Sequence, residues 1–202
     1  MRWLLLATEG QGMMWLLLAT GFTGSLTLVF LARWLHRTIG TLPSVMVYFS
    51  PKGGATDAVL HELKAARREI LILAYSFSSK PIAAALVEAK TRGVQVEILL
   101  DRSNEQEAYS DLHLFQEQGL APLIDAQHAI AHNKVMIIDQ RTLITGSFNF
   151  THQAEGENAE NLLILKGHPE LIRSYRQDFL THKSHSQVPS QKTPVPAHRN
   201  AA

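Results

Sequence analysis

ILILAYSFSSKPIAAALVEAKTRGVQVEILL, Ile70 to Leu100, is the stretch from which the fold follows. Ile70–Phe77 is a continuous apolar run of strand length. Pro81–Thr91 has helical character with a proline in the first turn, and Gly93 stops it. Val94–Leu100 is a second strand. Strand, helix and strand in succession predict an α/β layered domain.

The pattern extends on both sides. Upstream, Val45–Phe49 is a short strand and Ser50–Gly54 (SPKGG) a turn. Asp57–Arg68 carries Val59, Leu60, Leu63 and Ala66 at helical spacing. Downstream, Glu105–Gln118 reads as a helix ending at Gly119. Val135–Ile138 and Leu143–Thr145 form a hairpin across Asp139, Gln140 and Arg141. Asn161–Leu165 is a last strand and Pro169–Leu180 a last helix. The hairpin makes the sheet mixed rather than purely parallel. The predicted fold class is therefore α/β, a mixed β-sheet flanked by helices, preceded by an N-terminal apolar helix.

That N-terminal helix rests on Met13 to Ala32, which contains no charged residue. As a helix the run would be about 30 Å long, the thickness of a hydrocarbon core. Arg33, His36 and Arg37 follow it. A retained membrane anchor fits better than a cleaved secretory signal, whose n-region would be odd and for which no clear small-residue cleavage site stands out, or a buried core helix. The expected organisation is a flank over 1–12, a transmembrane or signal-anchor helix over 13–35, a linker over 36–44, a catalytic domain over 45–182 and a disordered tail over 183–202. The tail is polar and proline-rich. The expected location is a membrane, in a bacterial envelope, with the basic flank favouring the cytoplasmic face.

The 202 residues suffice for one core domain with appendages. Hydrophobic residues make up 46%, so most of the chain is globular. A formal net charge of +1 means that any nucleic-acid surface is a local patch. There is no cysteine, which excludes disulfides, thiol catalysis and thiolate metal sites.

AHNKVMIIDQRTLITGSFNFT, Ala131 to Thr151, carries the chemistry. On a strand, residues two apart share a face, so His132 and Lys134 project together. Ser147 and Asn149 repeat this spacing after Gly146, and a folded hairpin returns them to the same end. An imidazole, an ammonium, a hydroxyl and a carboxamide suit a phosphodiester. Lys134 and Asn149 would stabilise phosphoryl oxygens, and a neutral imidazole can attack phosphorus. A carboxylate orienting that imidazole could be Glu155, Glu157 or Glu160. Asp139 is seven positions from His132, on the other face of a straight strand, which suggests a turn or hydrogen-bonding role. A second acid must protonate the leaving oxygen. Of ten histidines, His132 alone is followed two residues later by lysine. A two-fold dimer would supply the missing second group.

HNKVMIID resembles the H-x-K-x4-D motif of the phospholipase D superfamily, and GSFN with the later ENAEN resembles its flank. SPKGGATD, ILILAYSF and ALVEAKTRGVQVEILLD are similar to the single-motif bacterial endonuclease branch. The resemblance covers about Pro43 to Leu180. It implies a phosphohistidine mechanism without metal or cofactor, in a homodimer with the site at its interface. His132 would be nucleophile in one subunit and general acid in the other. Lys134 and Asn149 would bind phosphate, Ser147 would support the site, Glu160 would orient His132, and Asp139 completes the motif. Mitochondrial cardiolipin hydrolases share this design. The bacterial nuclease branch is commonly exported, which implies the periplasmic side.

Plainer readings apply elsewhere. His128 and His132 are four apart, a zinc spacing on a helix, but the following run is strand-like. SPKGG lacks the Gly-Lys-Ser/Thr ending of a phosphate loop. Tyr75, Ser76 and Phe77 read mainly as core, Arg67 and Arg68 as a solvated helix face, and the histidines at 182, 185 and 198 as tail composition. The expected function is non-specific endonuclease action on nucleic acid, over a basic groove drawn from Lys52, Lys80 and Arg102. A phospholipase acting on headgroups is the alternative, and a tethered nucleic-acid binding module is a third, non-enzymatic one.

Overall fold

The computed structural model describes residues 27–31, 42–105, 112, 115 and 118–189. The chain divides into a unit up to Leu42 and a second from Pro43 onward. In the first, residues 27–31 are helical. The remainder of the expected anchor over 13–35 lies outside the described residues. Among the described residues no helix is long and apolar enough to cross a membrane. The expected membrane location is corrected by this finding: the described residues form an α/β domain without a membrane-crossing helix.

The second unit is a seven-stranded mixed sheet. Its strands are β1 (Ser44–Phe49), β2 (Glu69–Ala74), β3 (Gln95–Asp101), β4 (Leu123–Asp125), β5 (Lys134–Ile138), β6 (Thr142–Gly146) and β7 (Asn161–Lys166). They lie in the order β1-β7-β6-β5-β2-β3-β4. β2, β3 and β4 are parallel, and the other pairs are antiparallel. The helices are α1 (Ala55–Ala65), α2 (Lys80–Thr91), α3 (His152–Gly156) and α4 (Pro169–His185).

β2 is central and alternates between two cores. Ile70, Ile72 and Ala74 pack with Val59 and Leu63 of α1 and Ile82 and Leu86 of α2. Leu71 and Leu73 pack with Ile172 and Phe179 of α4. A strand covered on both faces needs apolar residues at every position, which explains the unbroken ILILA. The α/β expectation with a mixed, helix-flanked sheet is met here.

The differences are local. β2 ends at Ala74 rather than Phe77, and Phe77 leaves the sheet to bridge Phe150. β4 and α3, of three and five residues, are too short to carry a periodic signal. A 3-10 turn over Arg102–Glu105 ends where the helix predicted over 105–118 begins, and within that range Leu112 and Phe115 are helical and buried.

The tail expected to be disordered from Lys183 is also corrected. α4 continues to His185, and Gln187 exchanges two backbone hydrogen bonds with Ile124 (2.7 and 2.9 Å). Lys183 is ion-paired to Glu97, and Arg176 reaches Glu69 at 3.6 Å. Burial pushes the Asp125 carboxyl up, but His182, the Gln127 N–H, His185 and His128 outweigh it and hold it down at about 2. These anchors are tertiary, so polar composition alone concealed them. Residues 190–202 lie outside the described residues.

Candidate active site

The strand directions bring many chain segments to one end of the sheet. Phe49 pairs with Asn161, Gly146 with Leu162, and Ala74 with Lys134. The ends of β1, β2, β3, β4 and β6 therefore share that edge with the beginnings of β5 and β7. The N-termini of α1 and α2 follow directly from β1 and β2.

His132 sits just before β5 and is exposed. Its imidazole rests on the ring of Tyr75, with centroids 4.5 Å apart and planes tilted by 52°. Lys134, the first residue of β5, is 7% exposed. Its Nζ donates to the carbonyl of His132 (3.0 Å) and lies 4.9 Å from the centroid of the same tyrosine ring. Burial pushes the Lys134 ammonium below the usual lysine range, and the negative charge of Glu160 offsets part of that. A lysine held this way is desolvated, short of neighbouring donors to compete with, and fixed in direction.

Two residues unremarked in the sequence hold this arrangement. Asp101, at the end of β3, is 2% exposed. Its carboxylate accepts from the Ala131 N–H (2.7 Å) and the Ser103 N–H (2.9 Å), fixing the loop that delivers His132. Asn104 donates to the carbonyl of Tyr75 (2.8 Å) and to that of Asp101 (2.9 Å). Tyr75 itself donates its N–H to Asn133 O (2.8 Å). Strand register alone makes these residues neighbours of His132, so no sequence period reveals them.

Gly146 ends β6 with φ 149°, and a Cβ there would meet the carbonyl oxygen of Asn161 at 2.2 Å. The glycine lets β6 and β7 close tightly. Ser147 Oγ accepts from the Asn161 N–H (3.0 Å), and Ser147 N–H donates to Asn161 O (3.0 Å). Asn149 follows, with its side-chain oxygen buried and without a hydrogen-bond partner among the described residues. An unpaired buried carboxamide oxygen is uncommon away from functional sites.

Glu160 precedes β7 and is locked by Ser50. Its N–H donates to Ser50 Oγ (3.1 Å) and its carbonyl accepts from Ser50 N–H (3.0 Å). Its carboxylate accepts from Asn158 Nδ2 (3.1 Å). No hydrogen bond joins it to His132, so the orienting role expected of Glu160 does not hold in this geometry. Its charge acts on Lys134 instead. Glu155 is also excluded as an orienter, because its two oxygens cap α1 through Gly54 N–H (3.2 Å) and Thr56 N–H (2.7 Å).

Asp139 is not at this end. It sits in the β5–β6 turn with φ 54°, at the opposite edge of the sheet. Its carboxylate accepts from the backbone N–H groups of Arg67 (2.9 Å), Arg68 (2.7 Å) and Glu69 (3.1 Å). Its inclusion among the catalytic residues is corrected to the turn and hydrogen-bonding role that its odd spacing indicated. His128 is directed to Asp125, with Nδ1 3.1 Å from its Oδ2.

A cavity of about 570 Å³ opens among Thr56, Ser78, Lys80, His152 and Glu155, between the starts of α1, α2 and α3. Lys52 on the loop leaving β1, Lys80 at the start of α2 and Arg102 at the start of the 3-10 turn after β3 are exposed. Each follows the strand end that lies at the His132 edge.

The chain is similar to known proteins. Residues 59–183 match the family described as cardiolipin synthase, PLD-like domain. The chain is 45% identical over 140 residues to a phospholipase D of Rickettsia bellii, covering 69% of each. It is 33% identical over 125 residues to the mitochondrial cardiolipin hydrolase of Homo sapiens, covering 62% of this chain and 49% of that one. Among solved structures it is similar to Nuc, a phospholipase D family member from Salmonella typhimurium. That likeness has 36% identity and a TM-score of 0.69, and covers 73% of this chain and 98% of Nuc. The chain thus belongs to the phospholipase D superfamily of phosphodiester hydrolases, in its Nuc-like branch.

Proposed function

We propose that the protein hydrolyses phosphodiester bonds through a covalent phosphohistidine at His132, with nucleic acid as substrate. The observation that carries this is the exposed His132 imidazole seated on Tyr75 beside the buried Lys134 ammonium. The imidazole nitrogen attacks phosphorus and the P–O bond to the leaving group breaks. Lys134 and the Asn149 carboxamide meet the charge gathering on the non-bridging oxygens. The Glu160 carboxylate keeps Lys134 protonated against its burial, and Ser147 fixes the β6–β7 junction behind Asn149.

The leaving oxygen needs a proton, and His132 of a second copy supplies it. That same group then removes a proton from water, which attacks phosphorus and breaks the P–N bond. The site is complete only in a two-fold dimer. Val45, Val47 and Phe49 form an exposed apolar row on edge strand β1, and Phe49 ends it at the active edge. This row suits self-association.

Nucleic acid is favoured by the exposed Lys52, Lys80 and Arg102 around the site and by the likeness to Nuc over nearly that whole protein. Phosphate contacts from such residues dominate nucleic-acid affinity. A phospholipid substrate is the second reading, favoured by relatives named phospholipase D and mitochondrial cardiolipin hydrolase.

The test incubates the protein in parallel with plasmid DNA and with phosphatidylcholine–cardiolipin vesicles. Cutting of DNA and not lipid is expected, with a phosphorylated adduct at His132 on denaturation in alkali, where the P–N bond survives. Cleavage of vesicles alone would transfer the assignment to lipid, and the absence of any adduct would end the covalent mechanism. Mixing and reannealing wild type with His132→Asn in equal amounts is expected to leave about a quarter of the activity, because each site needs two intact histidines. Retention of half would show that a single copy suffices.

A further inference from the structure

At the far edge of the sheet from β1, four side chains converge that play no part in the chemistry above. Asp125 ends β4, His128 follows it by three residues, and His182 and His185 share one face of the last turn of α4. One ligand atom from each lies within 4.8 Å of all the others. The Asp125 side chain is fully buried. Its Oδ2 accepts from His182 Nδ1 (2.5 Å) and His128 Nδ1 (3.1 Å), and its Oδ1 lies 3.2 Å from His185 Nε2. The three imidazole rings stand 4.7 to 5.5 Å apart.

Neutralising one buried carboxylate takes one imidazolium, so three imidazoles around it exceed what a salt bridge requires. Among the described residues His185 Nε2 is inaccessible to solvent and makes no well-directed hydrogen bond, although it stands 3.2 Å from Asp125 Oδ1 and is aimed into the cluster. A buried ring nitrogen without a hydrogen bond is costly, and a cation between the groups would take up its lone pair. His182 turns its other nitrogen, Nε2, toward the Asp178 carboxylate at 3.8 Å. A carboxylate behind the distal nitrogen is the arrangement that orients a metal-ligating histidine.

We propose that Asp125, His128, His182 and His185 bind one divalent transition-metal ion, zinc by the chemistry of the donors, and that this ion staples the end of α4 to the end of β4. Three imidazole nitrogens and one carboxylate oxygen are a borderline donor set suited to zinc or cobalt and poorly suited to magnesium or calcium. Donors in a tetrahedral zinc site stand about 3.3 Å apart, a spacing that the cluster brackets. Four protein ligands fill the tetrahedron and leave no position for water, so the ion is structural rather than a participant in hydrolysis. Strands β2 and β3 separate it from β5, which carries the His-Lys pair. The Ile124–Gln187 backbone pairing beside it joins the same two segments. The ion would thus close the sheet's β4 edge, where a three-residue strand offers little hydrogen bonding of its own.

The test uses the full chain without a polyhistidine tag, stripped with chelator and dialysed. Addition of cobalt(II) alone is expected to saturate at one equivalent per chain with the intense visible bands of a tetrahedral ion. Addition of zinc alone is expected to raise Tm by about 5–10 °C at a hundredfold excess over Kd. His128→Gln sits in an exposed loop and leaves the fold intact, and it is expected to weaken zinc binding by at least tenfold and to remove most of the Tm rise. His182→Gln is expected to do the same more severely. Octahedral or absent cobalt bands, or a Tm unchanged by zinc, would overturn the site. Undiminished binding in His128→Gln would overturn the ligand set. DNA hydrolysis at low temperature by the metal-free protein bears only on the hydrolytic reading and leaves this test independent of it.

Discussion

The ring of Tyr75 packs against the imidazole of His132 at 4.5 Å while the same ring lies under the Lys134 ammonium at 4.9 Å. One aromatic side chain therefore sets the position of both groups that act on the phosphate. Replacing it with leucine is expected to lower kcat by about 10–100-fold with a smaller change in KM, because misplacement of a reacting group acts on the transition state. Tyr75→Phe keeps the face and is expected to retain most activity. Equal loss in both variants would assign the effect to the hydroxyl.

Lys134 is buried for function at a cost in stability. Its folded-state pKa is below the ordinary 10.5, so the unfolded chain binds its proton more tightly. Stability contributed by this group therefore rises with pH through the folded value towards 10.5, and the cost is fully present at neutral pH. Lys134→Met is expected to match or exceed wild type in Tm at about pH 7, and to lose that advantage towards about pH 10. Its activity is expected to fall by about 10²–10³-fold. Thermal melts across that range check the first outcome, and initial rates the second.

Asp139 serves the fold. Its carboxylate holds three backbone N–H groups of the α1–β2 connection, at 2.7 to 3.1 Å. Asp139→Ala is expected to cost about 1–3 kcal/mol by leaving those donors without a partner. Denaturant unfolding measures this. Specific activity below the melting transition is expected to be unchanged, which separates Asp139 from the residues at the opposite edge.

Gly146 couples packing to chemistry. Gly146→Ala drives a Cβ into the Asn161 carbonyl, 2.2 Å away, at a φ that L residues rarely adopt. The variant is expected to lose about 1–3 kcal/mol of stability. Any folded fraction is expected to be impaired in turnover as well, since Ser147 and Asn149 follow from that position. A stable variant with full turnover would show that β6 and β7 separate without harm.

The sequence by itself determined what depends on neighbours along the chain. The strand–helix–strand period of Ile70–Leu100 and the hairpin over Asp139 and Gln140 are local, and each survives in the fold. The tertiary structure alone decided which distant residues meet. Register placed Ala74 opposite Lys134 and so Tyr75 against His132. The docking of α4 turned histidines that read as tail composition into partners of Asp125, 57 residues away. It also sent Asp139 to the edge opposite the motif it completes. Helix and strand periods are set by backbone geometry within a few residues. Convergence of side chains across strands is set by sheet order and packing, to which no local pattern corresponds.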